Sequence, residues 1–281
     1  MHGIARRRRA RSQRRLGEGR GPARRDRRLG RRRQAGGFDL NLLLFDPDEA
    51  GPEAIVLGGR RADHLRGVLG VTPGATVRAG VLGGAIGDAT VLAVDEATVT
   101  VRFAATGEPP PGVPASLILA VPRPKVLSRT IRIAASYGIA AIHLTRSWRV
   151  DKSYLTSPRL APDALAADAR LGAEQGATTR TPTITVSHRF VDVLEHAGLP
   201  AGTRGVVGHP RGDAAPIERA LHPGVAGPVA VAIGPEGGWI DREVDSFVDR
   251  GYTIVHLAPA ILAVEAAVSA VLAQIALLAR L

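Results

Sequence analysis

The sequence predicts an α/β protein in two parts. Residues 39–108 suggest a small β-barrel, and 115–281 a mostly parallel sheet with helices on both faces. Three observations carry this. The first part is dense in short β-prone runs separated by glycine turns. The second alternates short apolar runs with helix-spaced segments. Between them, Glu108-Pro109-Pro110-Pro111-Gly112-Val113-Pro114 breaks every periodicity, so 109–114 is read as a stiff linker.

In the first part the candidate strands are 40–45, 55–57, 75–79, 89–94 and 97–101, with one short helix over 62–69. Gly83-Gly84 and Gly87-Asp88 read as turns. In the second part strands are expected over 117–121, 139–144, 183–186, 205–207, 229–233 and 253–257. Val126, Leu127, Ile131 and Ala134 have helical spacing, closed by Gly138. Further helices are expected near 162–173 and 191–196, then a charged helix after Trp239. A last helix carries Val264, Val268, Val271, Leu272 and Ile275 on one side. It is a poor membrane span, because Glu265 and Gln274 interrupt it and alanine dominates. A buried or dimer-facing helix is expected instead.

With 281 residues there is room for two ordinary domains, and 45% hydrophobic residues supply a core. The absence of cysteine excludes disulfides, Cys-ligated zinc and thiol chemistry, and fits a reducing, cytoplasmic setting. Aromatics are only 4%, which weakens a stacking model of single-strand binding. The net charge of +11 sits in residues 1–38, where fifteen arginines face only Glu18 and Asp26. The remaining 22 basic and 24 acidic residues leave the body nearly neutral. Three readings of the tail stand open. It is a nucleic-acid arm, an Arg-rich targeting peptide, or a segment absent from the mature protein, with translation starting near Leu40. The last is favoured, since low-complexity runs have no core to join.

No P-loop, G-x-S-x-G, H-E-x-x-H or G-x-G-x-x-G occurs, and no histidines pair at metal-ligand spacing, so no metal is expected. Two loops stand out. Ile233-Gly234-Pro235-Glu236-Gly237-Gly238-Trp239 follows one strand directly, and Leu257-Ala258-Pro259-Ala260-Ile261-Leu262-Ala263-Val264-Glu265 follows the next. Loops at the carboxyl ends of parallel strands are where open α/β sheets take small ligands, and glycine lets backbone approach a ligand closely. Plainer alternatives stay open. The first loop can be a strand-to-helix turn, Glu236 a helix cap, and Glu265 the partner of a distant arginine.

Several strings, in order, resemble one family. Arg61-Ala62-Asp63-His64-Leu65-Arg66-Gly67-Val68-Leu69 is similar to its R-x-x-H-L-x-x-V-L segment, followed by Pro73-Gly74 and Gly83-Gly84-x-x-Gly87. Pro122-Arg123-Pro124-Lys125, then Glu174-Gln175 with Arg180-x-Pro182, then Gly234-Pro235-Glu236-Gly237-Gly238 with Glu243 continue the match. Residues 40–281 thus resemble the bacterial 16S rRNA (uracil-N3)-methyltransferase family of the SPOUT superfamily.

The resemblance implies a C-terminal trefoil knot, a PUA-like RNA-binding barrel and a homodimer. It implies methyl transfer from S-adenosylmethionine to N3 of uridine 1498 (rRNA numbering) in 16S rRNA of the small ribosomal subunit. The implied cofactor contacts are Gly208, His209, Ile233, Gly234, Gly237, Gly238, Leu257, Ile261, Leu262 and Ala267, largely through backbone. Glu236 and Glu265 are the carboxylates expected near the cationic sulfur. Arg61, His64, Arg66, Arg123, Lys125 and Arg180 are the expected RNA contacts.

The chain departs from the family in its last loop, where the usual string is L-G-x-R-I-L-R-x-E-T-A. Ala258 stands for glycine, Ala260 and Ala263 for arginines, and Ala266 for threonine. Gly70 stands where another family arginine is usual. Alanine supplies neither the charge nor the donors of arginine. A second expectation is therefore a degenerate member that binds RNA or ribosomes with little or no methyl transfer.

Overall fold

The computed structural model describes residues 41–281 apart from 52, 197–198 and 225–226. The arginine-rich tail, the alternative start and Leu40 as the start of a strand lie outside the described residues. The described residues belong to one compact unit.

The first sheet comprises β1 (Leu43–Phe45), β2 (Ile55–Leu57), β3 (Thr76–Val81), β4 (Ile86–Val94) and β5 (Val99–Gly107), with α1 (Gly59–Gly67) between β2 and β3. Its order is β1-β3-β4-β5-β2. β3, β4 and β5 form an antiparallel meander, β1 joins β3 in parallel, and β2 joins β5 antiparallel. The small β-barrel expected here is a five-stranded sheet curled into a half-barrel, with β1 and β2 as its edges. Along β4, Gly87, Ala89 and Val91 are buried while Asp88, Thr90 and Leu92 are exposed, the alternation of a sheet with one covered face. The covered face packs Phe45, Leu57, Leu65 and Val101.

Two expectations are corrected here. Gly87-Asp88 lies inside β4, not in a turn. A Cβ on Gly87 would run into the Ala104 carbonyl oxygen, and the ladder shifts register at that point. This glycine serves a close strand approach at a bulge. Ala97 and Thr98 belong to the β4–β5 turn, closed by the Asp95 N–H on the Thr98 carbonyl, so β5 begins only at Val99.

The second sheet comprises β6 (Ala115–Ala120), β7 (Ala141–Thr145), β8 (Thr183–Ser187), β9 (Arg204–Gly208), β10 (Ala215–Pro216), β11 (Val229–Ile233) and β12 (Thr253–His256). The helices are α2 (Pro124–Ser136), α3 (Pro162–Gly176), α4 (Phe190–His196), α5 (Ile217–Leu221), α6 (Asp241–Val248) and α7 (Val264–Leu278). Strand order is β10-β12-β9-β11-β6-β7-β8, and every pair is parallel. Every residue of β6 and β11 is buried. Successive strand residues point to opposite faces, so both faces of the sheet centre are covered. That is why these strands read as unbroken apolar runs.

Proline opens α2, where its missing N–H costs nothing, and Gly138 at φ +64° follows its end. α7 buries Val264, Val268, Val271, Leu272 and Ile275, and packs on α2 and β11. Among the described residues no helix is long and apolar enough to cross a membrane.

α3 joins the two sheets. Arg170 donates to the Asp46 carboxylate at 2.7 Å and to the Leu44 carbonyl at 2.6 Å. The buried Glu174 carboxylate accepts from Arg60 at 2.8 Å and lies 3.6 Å from Arg170. Leu42, Leu44 and Ala173 pack beside these pairs, and Thr179 Oγ1 donates to the Gly84 carbonyl. The string Glu174-Gln175 thus lies at the junction, where the Gln175 carbonyl also accepts from Asn41.

Candidate functional site

β12, β9 and β11 are neighbours in the sheet though not in sequence. Their carboxyl ends therefore release three loops along one edge, the position at which open α/β sheets take ligands. Gly208 ends β9 at the meeting point. A Cβ there would lie 2.8 Å from Ile233 Cδ1 and 3.6 Å from Leu257 Cδ1. The His209 N–H donates to the Val255 carbonyl at 3.1 Å and ties its loop to β12.

After β11 the chain folds back sharply. The Gly238 N–H donates to the Pro235 carbonyl at 2.7 Å, with Gly238 at φ +70°. A Cβ on the buried Gly234 would lie 2.8 Å from the Trp239 backbone nitrogen. The Leu257 carbonyl accepts from Gln274 of α7 at 2.9 Å. Leu262 and Ala267 are half-buried, whereas Ile261 is 87% exposed. The edge is thus built of glycine-rich loop backbone framed by Ile233, Leu257 and Leu262. Such a donor set suits a neutral heterocycle better than a metal, and among the described residues no metal-type cluster occurs.

The two expected carboxylates have partners. Glu236 is exposed, and its Oε1 accepts the backbone N–H of Arg123 at 3.0 Å. Arg123 is the N-cap of α2, so the carboxylate sits where the helix dipole favours negative charge. The helix that follows the loop is held by Glu243 instead. This buried carboxylate accepts from Ile240 N–H at 3.0 Å and from Trp148 N–H at 2.8 Å, fastening the start of α6 to the loop after β7. Glu265 lies in the first turn of α7 and 3.9 Å from Arg129, a weak solvated pair.

The structure divides the expected RNA contacts. Arg61 grips both oxygens of Glu49 and the Leu44 carbonyl. Hydrogen bonding from Arg61 pulls the Glu49 carboxyl down to about 2 against the cost of burial. His64 is buried in α1. Arg66 is held by Asp63 and by the carbonyls of Glu96 and Asp95. Arg123, Lys125 and Arg180 are exposed. Arg123 stands beside the loop after β11, while Arg180, whose N–H donates to Thr178, stands near the junction of the sheets.

One residue at the edge escaped the sequence reading. Arg149, in the loop after β7, donates to the Gly237 carbonyl at 2.5 Å. Its stem covers that glycine, 3.1 Å from where a Cβ would be. Its position five residues beyond an expected strand end is the signal that could have found it. His209 is held below its ordinary value mainly by burial, with nearby Asp241 opposing, which favours a neutral imidazole.

Residues 109–276 match the family described as RNA methyltransferase domain. The chain belongs to that family. The matched span starts at the proline linker, ends within α7 and contains every loop of the site. This RNA methyltransferase is 29% identical over 242 residues to ribosomal RNA small subunit methyltransferase E of Treponema pallidum (strain Nichols), covering 84% of this chain and 90% of that one. Its fold is similar to that of the Neisseria gonorrhoeae ribosomal RNA small subunit methyltransferase E bound to S-adenosyl methionine. The TM-score is 0.67 at 19% identity, over 84% of this chain and 96% of that one. It is also similar to Lpg2936 of Legionella pneumophila in complex with bound cofactor SAM, with a TM-score of 0.66 at 18% identity, over 84% and 97% of the two chains.

Proposed function

We propose that this protein uses S-adenosylmethionine to methylate N3 of uridine 1498 in 16S rRNA, acting in the cytoplasm on the small ribosomal subunit as a homodimer. The observation that carries this reading is the meeting of three backbone-rich loops at Gly208, Gly234 and Leu257 on adjacent parallel strands. On this reading residues 115–281 are wound as a SPOUT trefoil knot, an exception to the usual rule against threading. The placement of β12 beyond β9, with α7 returning to α2 and β11, supports that path. The half-barrel is then the PUA-like module that holds RNA.

The fit rests on close approach. A side chain on Gly208 would collide with Ile233 and one on Gly234 with the turn at Gly238 and Trp239, while Ile233, Leu257 and Leu262 supply apolar walls. These residues, with Gly237, Gly238 and Ala267, would hold the cofactor, and His209 and Ile261 would border it. S-adenosylmethionine, when bound, supplies an electrophilic methyl group on a cationic sulfur. Glu236 and Glu265 place negative charge near that edge. As uracil N3 gives its proton to solvent water, charge develops on the uracil oxygens, and positioned donors stabilise it. Arg123 and Arg149, flanking 236–237, are this chain's candidate donors. Fixing the acceptor in line supplies much of the remaining barrier reduction.

A second reading has its own observation. Residues 257–264 carry no charge and no hydroxyl, with Ala258, Ala260 and Ala263 in the exposed or half-buried part of the loop. This favours a member that binds RNA with little methyl transfer. Calorimetry with S-adenosylmethionine, paired with methyl transfer to small ribosomal subunits, separates the two. Cofactor binding with turnover supports the first reading, and RNA binding without cofactor binding supports the second.

A further inference from the structure

The chain has two tryptophans, and the fold treats them oppositely. Trp239 is 1% exposed and packs between Phe190 and Phe247, whereas Trp148 is 80% exposed. The backbone under Trp148 is nevertheless fixed. Its N–H is held by Glu243, Ser147 before it and Val150 after it are buried, and the neighbouring Arg149 is bonded to Gly237. A rigid loop that aims a bare indole into water spends a hydrophobic side chain on something outside the chain. Exposed cations flank it in sequence, Arg146 and Arg149 in the same loop and Lys152 at its end, with one exposed carboxylate, Asp151, among them; Arg149 and Arg123 both bond to residues 236–237. An indole on a loop rich in exposed cations is a poor surface for an apolar protein partner. It suits a strand of phosphates carrying flat, unstacked bases.

We infer that Trp148 is a stacking platform for a nucleobase of the RNA strand presented to the loops after β9, β11 and β12, with Arg146 and Lys152 on the adjoining phosphates. The inference rests on the methyltransferase reading above and adds a substrate-positioning residue to it. Stacking needs only the aromatic face, so a base next to the reacting one is held without being read, and the cations carry the salt-dependent part of the affinity. Because Trp148 lies outside the loops that would hold cofactor, its loss acts on RNA engagement and leaves cofactor affinity alone.

The test uses the full chain as wild type, Trp148→Ala and Trp148→Phe. Three quantities are measured: the KM for small ribosomal subunits lacking the modification, kcat, and calorimetric affinity for S-adenosylmethionine. The expected result for Trp148→Ala is a KM raised about tenfold, the scale of one lost base–aromatic stack, with kcat and cofactor affinity unchanged. Trp148→Phe should recover most of the loss. Titration with a short oligouridylate should quench the long-wavelength emission of the wild type and leave that of Trp148→Ala, which comes from Trp239, unaffected. An unchanged KM and no quenching, in a wild type that methylates, overturn the inference and leave the methyltransferase reading standing. Conversion of a wild-type dimer to monomer in Trp148→Ala, with RNA affinity intact, overturns it in favour of a subunit contact. A wild type that neither binds S-adenosylmethionine nor methylates overturns the functional reading, and the inference falls with it.

Discussion

The carboxylate of Glu236 and the backbone N–H of Arg123 meet at 3.0 Å, across 113 residues of sequence. The contact joins the loop after β11 to the N-terminus of α2. It turns a residue expected to face a cofactor into a brace between two loops of the site. Glu236→Gln, which keeps an acceptor oxygen, should retain most of the stability and turnover. Glu236→Ala should lose about 1 kcal/mol, the scale of a lost helix-terminal acceptor, and weaken S-adenosylmethionine binding several-fold. Thermal unfolding and calorimetry report both. Abolished turnover in a fully stable, cofactor-binding Glu236→Gln would instead assign the charge a direct role in the reaction.

Gly234 and Gly208 make a graded pair. A methyl group at Gly234 meets backbone, the Trp239 nitrogen at 2.8 Å, whereas one at Gly208 meets the movable end of Ile233. Gly234→Ala should cost more than tenfold in cofactor affinity, about 1.4 kcal/mol per decade, and Gly208→Ala less. Equal affinities in calorimetry would show that the tight turn after β11 does not shape the site.

The buried Glu174 neutralises Arg60 and Arg170 at the junction of the two sheets. Glu174→Ala strands Arg60, whereas Arg170 keeps the Asp46 carboxylate; losing one partner costs about 3–5 kcal/mol for a fully buried pair. Arg60 is half exposed, so water relieves part of this, and a loss of about 2 kcal/mol is expected. Denaturant unfolding measures it. A loss below about 0.5 kcal/mol would place the junction's stability in Leu42, Leu44 and Ala173 instead.

Stability should fall with acid in two stages. Burial holds His143, hydrogen-bonded to Thr185, below the ordinary 6.5, so the folded state keeps it neutral while the unfolded chain takes up a proton. Stability is then complete above 6.5 and declines as pH falls below it, and burial of His209 adds in the same direction. Glu49 runs lower. Its carboxylate is held at about 2 against 4.5, so its contribution is complete above 4.5 and is lost as pH falls towards 2. Melting temperature against pH checks this. His143→Gln should flatten the upper stage and Glu49→Gln the lower, and unaltered profiles would contradict both assignments.

The legible parts of this fold were those governed by period. Val229–Ile233 read correctly because a strand covered on both faces is an unbroken apolar run. α2 read correctly because its apolar spacing is bounded by Pro124 and Gly138. Period says nothing about pairing. The edge strands of the first sheet pair residues dozens of positions apart, and the braces Glu236–Arg123 and Glu243–Trp148 and Arg149 on Gly237 join residues about ninety or more apart. The two-residue β10 and the short α5 are too brief for a periodic signal, and Pro216 in β10 is tolerated because that strand is an edge. Gly87 misled because a glycine that admits a neighbouring strand looks, in sequence, like one that makes a turn.

The alanines of the last loop give a separate test of the functional reading. Ala263 is exposed at the N-cap of α7, so an arginine fits there, against a dipole penalty of about 0.3–1 kcal/mol that nearby Glu265 offsets. Ala263→Arg should raise methyl transfer from a weak baseline. A wild type already fully active and indifferent to the change would show that Arg123 and Arg149 suffice.

The most direct measurement is mass-spectrometric mapping of 16S rRNA from small subunits lacking the modification, incubated with the full chain and S-adenosylmethionine. The result predicted here is one added methyl at N3 of uridine 1498, absent without cofactor and reduced in Gly234→Ala. Unmodified rRNA under conditions where the chain binds both cofactor and subunit would contradict it, as would a methyl at any other position.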